Sequence, residues 1–401
     1  MHLTHWLPVL CASAMVCFTN PTQAAVERSF LISEHAEADG VDEATPAAAS
    51  NGRNCLVVWK DNRSAPQPYH RGQYLLYGRR FDPAGNALDA TSFPIQKEPF
   101  IWNNEGLTLP AVAAMGSNYL VVWLTRFRQV EGRRVLSDGT VKTNQIEIAR
   151  TGTASGQPAI ASTRRGSLVA WTDRVNNNGD IYATLLDRRG EVTRVVPVAV
   201  DSANAQFPVA ASVGQNYVVL WRELSPVSEA VIKAALVTPV GEVRRLDQFP
   251  ASLASCVTVA GNGRNYFVAW QTASPGFDSF QLNGCVLNSR GKVMGPASPL
   301  AAGPQQQALP VVLPSGRDFT ILWRENPYVT EAMLYALPVS AHGIAKGAPS
   351  PIASECGWNG YGAPTAVGRS NVLVVLEQKS PDYYDNGYLS RVRGSVMTAK
   401  P

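Results

Sequence analysis

The chain has 401 residues, 45% of them apolar and only 16% charged, with a net charge of +4. So low a charge fraction excludes a disordered chain and calls for elements covered on more than one face. The positive excess is too small and too dispersed for a nucleic-acid footprint, and beyond the N-terminal segment no apolar run reaches the length of about eighteen residues that a membrane span needs.

Residues 1 to 24 contain no Asp, Glu, Lys or Arg, and Trp6 to Phe18 is dominantly apolar. The stretch ends on Thr22-Gln23-Ala24, small enough for signal peptidase. It reads as a signal peptide over residues 1–24, with 25–401 a single exported domain, secreted or periplasmic. Neither Val16 before Cys17 nor Leu10 before Cys11 is the small residue a lipoprotein signal requires. Cys55, Cys256, Cys285 and Cys356 remain, an even number that fits one or two disulfides of open pairing, or equally four buried thiols.

One segment then recurs in register: TPAAASNGRNCLVVW (45–59), LPAVAAMGSNYLVVW (109–123), QPAIASTRRGSLVAW (157–171), FPVAASVGQNYVVLW (207–221), CVTVAGNGRNYFVAW (256–270) and LPVVLPSGRDFTILW (309–323). A shorter copy, APTAVGRSNVLVVL (363–376), ends on Leu376 in place of tryptophan. Each copy reads as strand, turn, strand. Pro46, Pro110, Pro158, Pro208, Pro310 and Pro364 open the first strand, where a missing N–H is tolerated. Gly or Asn supplies the hairpin turn. The second run is apolar at both parities, so it must be covered on both sides.

After each copy comes a polar loop, a third apolar run and a second turn carrying Gly85, Gly139, Gly190, Gly241, Gly291, Gly343 and, in the last copy, Gly394. A short fourth strand follows, as in Phe93-Pro94-Ile95, Ile146-Glu147-Ile148 and Val196-Pro197-Val198. Four antiparallel strands per unit of roughly fifty residues predict an all-β chain, a seven-bladed β-propeller with four-stranded blades. The last copy lacks its fourth strand, and Ser29-Phe30-Leu31-Ile32 resembles one. The expectation is a ring closed by this N-terminal strand, which also hides an open edge.

The repeats, with their YLVVW core, a following Asp or Arg and a glycine turn, resemble those of secreted bacterial β-propeller proteins over nearly the whole chain after residue 24. The resemblance implies the fold and no particular activity, because one propeller scaffold carries many unrelated sites. No WD dipeptide, kelch-type Gly-Gly pair or sialidase-type Ser-x-Asp-x-Gly-x-x-Trp box is present.

In a propeller the residues just after each tryptophan ring one face. Here they are Asp61 and Arg63, Arg126 and Arg128, Asp173 and Arg174, Arg222 and Glu223, Gln271 and Thr272, Arg324 and Glu325, then Glu377 and Lys379. The simpler reading makes them turn acceptors and blade-bridging ion pairs; the functional one makes an arginine-rich mouth that pairs carboxylate or sulfate groups. Loop aromatics concentrate in units one, six and seven. The expected ligand contacts are therefore Tyr69, His70, Trp102, Trp358, Tyr361 and Tyr384, with Arg63 and Arg324 beside them.

Histidines are few and scattered, and no HExxH, P-loop or GxSxG motif occurs. No cofactor and no metal is expected; Asp173 to Asp180 could hold calcium but reads more simply as a turn. The function expected is a non-catalytic binding module that recognises a glycan or a surface protein through the loop face. The alternative is a polysaccharide lyase or glycoside hydrolase acting on an acidic polysaccharide, with a rim arginine and His70 or a tyrosine as base.

Overall fold

The structure, a computed structural model, describes residues 26–34, 43–63, 73–96, 100–101, 110–175, 178–200, 204–224, 230–246, 254–273, 280–301, 307–325, 333–354, 365–367, 371–379 and 390–398. After β1 (Val26–Leu31), the strands β2 (Glu43–Ser50), β3 (Cys55–Asp61), β4 (Gln73–Phe81) and β5 (Phe93–Pro94) form an antiparallel blade in chain order, with β6 (Phe100–Ile101) added against β4. The second blade is β7 (Ala111–Met115), β8 (Asn118–Leu124), β9 (Val130–Val135) and β10 (Ile146–Ala149). The third is β11 (Ala154–Ser162), β12 (Gly166–Val175), β13 (Asn178–Asp187) and β14 (Val192–Ala199); the fourth is β15 (Ala205–Val213), β16 (Asn216–Glu223), β17 (Val231–Val237) and β18 (Val243–Leu246). The fifth is β19 (Ala254–Gly261), β20 (Asn265–Ala273), β21 (Phe280–Asn288) and β22 (Ser298–Pro299), and the sixth is β23 (Gln307–Ser315), β24 (Asp318–Glu325), β25 (Met333–Val339) and β26 (Ser350–Ser354). The chain ends in β27 (Thr365–Val367), β28 (Asn371–Lys379) and β29 (Ser390–Thr398).

The expectation of seven equivalent four-stranded blades closed by the N-terminal strand needs correcting. Six sheets are contiguous in the chain, and one of them has five strands. The remaining sheet is composite: β27, β28 and β29 lie in chain order, and β1 pairs with β29 at its outer edge. β27, β28 and β29 all pack on β2, β23 meets β27, and the Phe30 ring of β1 lies 5.6 Å from that of Phe81 in the first blade. The added strand is Val26–Leu31, beginning before the Ser29 expected from sequence. Gly394 does not sit in a turn either. It lies within β29 where an added Cβ would stand 2.7 Å from Ile32, just as one on Gly78 in β4 would stand 2.8 Å from Ile95.

The second strand of each blade explains the arrangement. Cys55, Val57 and Trp59 of β3 pack in one cluster with Ile32 and Val392, while Leu56 and Val58 pack in another with Tyr119, Val121 and Trp123 of the next blade. Neither face can be left to water, so each blade requires two neighbours. Polar latches add direction to this burial. The Arg79, Arg133 and Thr184 side chains donate to the carbonyls of Ile32, Ile95 and Ile148, each in the sheet before. At the opposite end of the blades, the Tyr119 and Tyr266 hydroxyls donate to the carbonyls of Asn54 and Asn216.

Two outcomes follow. Trp221→Ala, which empties a fully buried site between blades, should cost on the order of 3 to 5 kcal/mol in urea unfolding, and a loss under about 1 kcal/mol would contradict this packing. Cys55 and Cys285 are buried thiols whose burial pushes their pKa up to about 12. Both should resist thiol reagents at pH ~8 until the protein unfolds, and rapid labelling of the native state would count against their placement.

Candidate functional site

Antiparallel order brings the start of each inner strand to the end of the second strand. Glu43 pairs with Asp61, Ala205 with Glu223 and Gln307 with Glu325. The residues that follow the tryptophans therefore share this face with the crossings between blades, at the mouth of the central channel.

Part of the charged ring is committed to structure. Asp61 is fully buried; it accepts the Trp59 indole N–H at 3.3 Å, the Arg63 backbone N–H at 2.8 Å and Arg63 Nε at 2.6 Å. The same guanidinium reaches Glu34 at 2.8 Å and Ser92 Oγ at 2.6 Å and lies 4.1 Å from the centre of the Tyr77 ring. Arg63 thus ties the segment after β1 to the first blade. Burial pushes the Glu34 carboxyl up, but hydrogen bonds from Ser92 and the Arg63 charge outweigh it and hold the pKa at about 2. Glu223 accepts the Trp221 indole N–H at 3.4 Å, and Asp173 accepts the Thr153 hydroxyl. Gln271 accepts the Leu309 N–H of the next blade at 3.2 Å, and Arg324 is buried.

Of the expected ligand contacts, Arg63 is this clamp and Arg324 lies beneath the surface. Tyr69, His70, Trp102, Trp358, Tyr361 and Tyr384 lie outside the described residues. Asp173 and Asp180 face each other across the β12–β13 hairpin ladder, and the described residues hold no group of three or more His, Cys, Asp or Glu suited to a metal ion.

A feature that sequence reasoning missed sits at the repeat prolines. Inner-strand pairing slips between Ala44 and Ala47, Ser155 and Ala159, Gln206 and Val209, and Ala308 and Val311. Within these bulges Thr45, Phe207 and Leu309, each just before a proline, have φ of 53°, 54° and 54°, and Gly156 has 71°. Non-glycine residues in this region cost about 1–2 kcal/mol. Thr45 is buried, Leu309 is 40% exposed and Phe207 is 52% exposed. Its ring carries the Arg222 guanidinium 5.1 Å from its centre. A Cβ on Gly156 of the preceding blade would stand 3.9 Å from that ring.

The start of the fourth blade is held rigidly. Asn204, at φ 48°, donates its backbone N–H to Asn178 Oδ1 at 2.9 Å and accepts the Gly179 N–H on its own Oδ1 at 3.2 Å. The Leu224 N–H bonds the Asn204 carbonyl at 3.3 Å.

A second aromatic and arginine pair stands two blades back. Phe127, 60% exposed, occupies the tight turn between β8 and β9 with the Arg126 guanidinium 4.5 Å from its ring centre. Buried Thr125 fixes the turn, its hydroxyl accepting the Phe127 and Gln129 N–H groups at 3.3 and 3.2 Å. Arg128, at φ 56°, accepts the Ala154 N–H on its carbonyl at 3.1 Å, and Thr153 accepts the Arg174 N–H at 3.0 Å. These contacts make one surface from Arg126 across Arg174 and Gly156 to Phe207 and Arg222, spanning the second to fourth blades. Three of the five described non-glycine residues with positive φ, Arg128, Asn204 and Phe207, lie on it, and strain of this kind concentrates where side chains must be held for a task. Sequence reasoning had the arginines of this arc but passed over the two phenylalanines. The signal was there in Arg-Phe-Arg at 126–128 and in an aromatic before Pro208.

No family model and no curated protein matches the chain. Among solved structures it is similar to polysaccharide lyase Uly1 (TM-score 0.56, 9% identity, covering 96% of this chain and 94% of that one). It is similar also to the Pyrococcus horikoshii acylaminoacyl peptidase (TM-score 0.50, 10% identity, 87% of this chain and 51% of that one). A subtype N11 neuraminidase-like protein of A/flat-faced bat/Peru aligns with a TM-score of 0.49 at 8% identity, over 94% of this chain and 95% of that one. At such identities the first two likenesses establish the propeller fold alone.

The Glu34 clamp has a pH signature. Its carboxyl is depressed from 4.5 to about 2, so its stabilising contribution is complete above pH 4.5 and is lost as pH falls through 2. The melting temperature of Glu34→Gln should lie below wild type at neutral pH, with the gap closing between those values. A gap independent of pH would contradict the clamp.

Proposed function

We propose that the chain is an exported, non-catalytic module that binds a glycan on the channel-mouth face of its second to fourth blades. The observation that carries this is the pair of solvent-facing rings, Phe127 and Phe207, each backed by a guanidinium, the first on a turn held by the Thr125 hydroxyl and the second on a strand bulge that follows the bonded Asn204. Exposed aromatic faces stack on the C–H faces of sugars, and rings held in place lose little freedom on binding. The uncharged apolar segment at residues 1–24 supports export. The propeller likeness to a polysaccharide lyase agrees with a carbohydrate ligand.

The test is a glycan array probed with wild type and with Phe127→Ala and Phe207→Gly. Glycine relieves the strained φ at 207, so that variant should melt no lower than wild type while losing the signal. Full retention of glycan binding by both variants, or no bound glycan at all, would overturn the reading. New reducing or unsaturated ends released from a bound polysaccharide would show that the module is catalytic.

A further inference from the structure

Independently of the glycan reading, we infer that the face opposite the channel mouth docks, through its third to sixth blades, on an anionic lipid surface. In each blade the turn joining the first two strands and the turn joining the last two lie at the end away from the mouth, so this face is built of hairpin tips. On the third, fifth and sixth blades the inner tips carry Arg164, Arg165, Arg264 and Arg317, all exposed. The outer tips of the third and fifth blades carry Arg188, Arg189, Arg290 and Lys292, exposed as well.

The acids at this end of the same four blades are fewer. They are Asp187, Glu191 and Glu242, together with Asp318, whose charge is met by Lys346. Among the described residues no ion pair engages any of the eight cations. The other acids of this face, Asp82, Asp89 and Asp138, belong to the first two blades, Asp89 in an ion pair with Arg80. Aliphatic side chains stand beside the cations on the outer tips, one to a blade: Val192 is 41% exposed, Val240 65%, Met294 50% and Ile344 68%.

These tips are fixed before any partner arrives. The Thr163 hydroxyl accepts the Arg165 N–H at 3.1 Å, and Asn262 Oδ1 accepts that of Arg264 at 3.0 Å. On the outer turns Asp187 and Asn288 accept the N–H groups of Arg189 at 2.8 Å and Arg290 at 2.9 Å. Neighbouring blades are tied at the same level, because the Arg134, Arg244 and Asn262 side chains donate to the carbonyls of Arg189, Arg290 and Arg317.

A protein partner would call for a contiguous apolar centre depleted of charge. Here the aliphatic groups are separated, each on its own blade, with cations among them. A bilayer surface meets that pattern: it accepts isolated apolar tips at the headgroup boundary, and its anionic lipids move to the fixed cations. Like charge opposes a second copy on the same face.

The experiment is cosedimentation of residues 25–401, which hold every described strand, with vesicles of phosphatidylglycerol and phosphatidylcholine in equal parts and with vesicles of phosphatidylcholine alone. The proteins are wild type, Arg164→Glu/Arg165→Glu, Arg290→Glu/Lys292→Glu and Val240→Ser/Ile344→Ser, with melting as the check on folding. Wild type should bind the anionic vesicles at least about tenfold more tightly than the neutral ones and lose that preference as salt is raised. Each double charge reversal should weaken anionic-vesicle binding at least about tenfold, and the serine pair should weaken it as well. Equal affinity for the two vesicles, or binding to neither, would overturn the lipid assignment. Binding of dextran sulfate without either vesicle would give the face to a soluble polyanion, and a vesicle-free dimer that the charge reversals dissociate would give it to a second copy. Anionic-vesicle binding that survives both charge reversals would overturn the placement on this face, and full retention by the serine pair would overturn the part given to the aliphatic tips.

Discussion

The second strand of every blade has no polar face, and the rest of the molecule follows from that. A sheet can cover only the edges of such a strand, so Val57 and Trp59 must find apolar surface on one side and Leu56 and Val58 on the other. Repeating this demand around the chain produces a ring in which no blade is stable alone. Fully burying each of these side chains is worth about 1.5–3 kcal/mol. The hydrogen-bonded latches between blades contribute less and set orientation, since a buried donor left unmatched would be costly.

The same constraint decides which charged groups are available at the channel mouth. Trp171 and Trp323 do not bond Asp173 and Glu325, but Asp61 and Glu223, likewise two residues after a tryptophan, take the indole N–H. Those acids then serve the fold, and in the first blade the neighbouring arginine does too. In the second blade Thr125 stands in the acid's place. Its hydroxyl closes a short turn and leaves Arg126 and Arg128 facing solvent. On the proposed reading, binding surface arises where a blade departs from the structural pattern.

The blade unit was legible because it is written in period-two patterning, turn glycines and a tryptophan at a fixed place. The composite last sheet was harder to read, because Leu376 replaces the tryptophan and Gly394 looks like a turn glycine although it makes room for Ile32 within a strand. The bulges were not legible at all. A proline at the start of a strand suggests a tolerated missing donor, and nothing in composition says that the residue before it adopts a left-handed backbone and turns outward, as Phe207 does. The site expected from loop length and aromatic content rested on residues 69, 70, 102, 358, 361 and 384, chosen by position on long loops. The arc depends instead on one short turn, at Phe127, and one strand bulge, at Phe207, and loop length does not reveal these.

The central claim is that glycan binding resides on the aromatic arc of the second to fourth blades, from Phe127 to Phe207. A crystal structure of the protein with an oligosaccharide that it binds on a glycan array tests it most directly. The account predicts sugar rings lying on Phe127 and Phe207. An oligosaccharide seated instead among Tyr69, His70, Trp358 and Tyr361, with the arc bare, would contradict it.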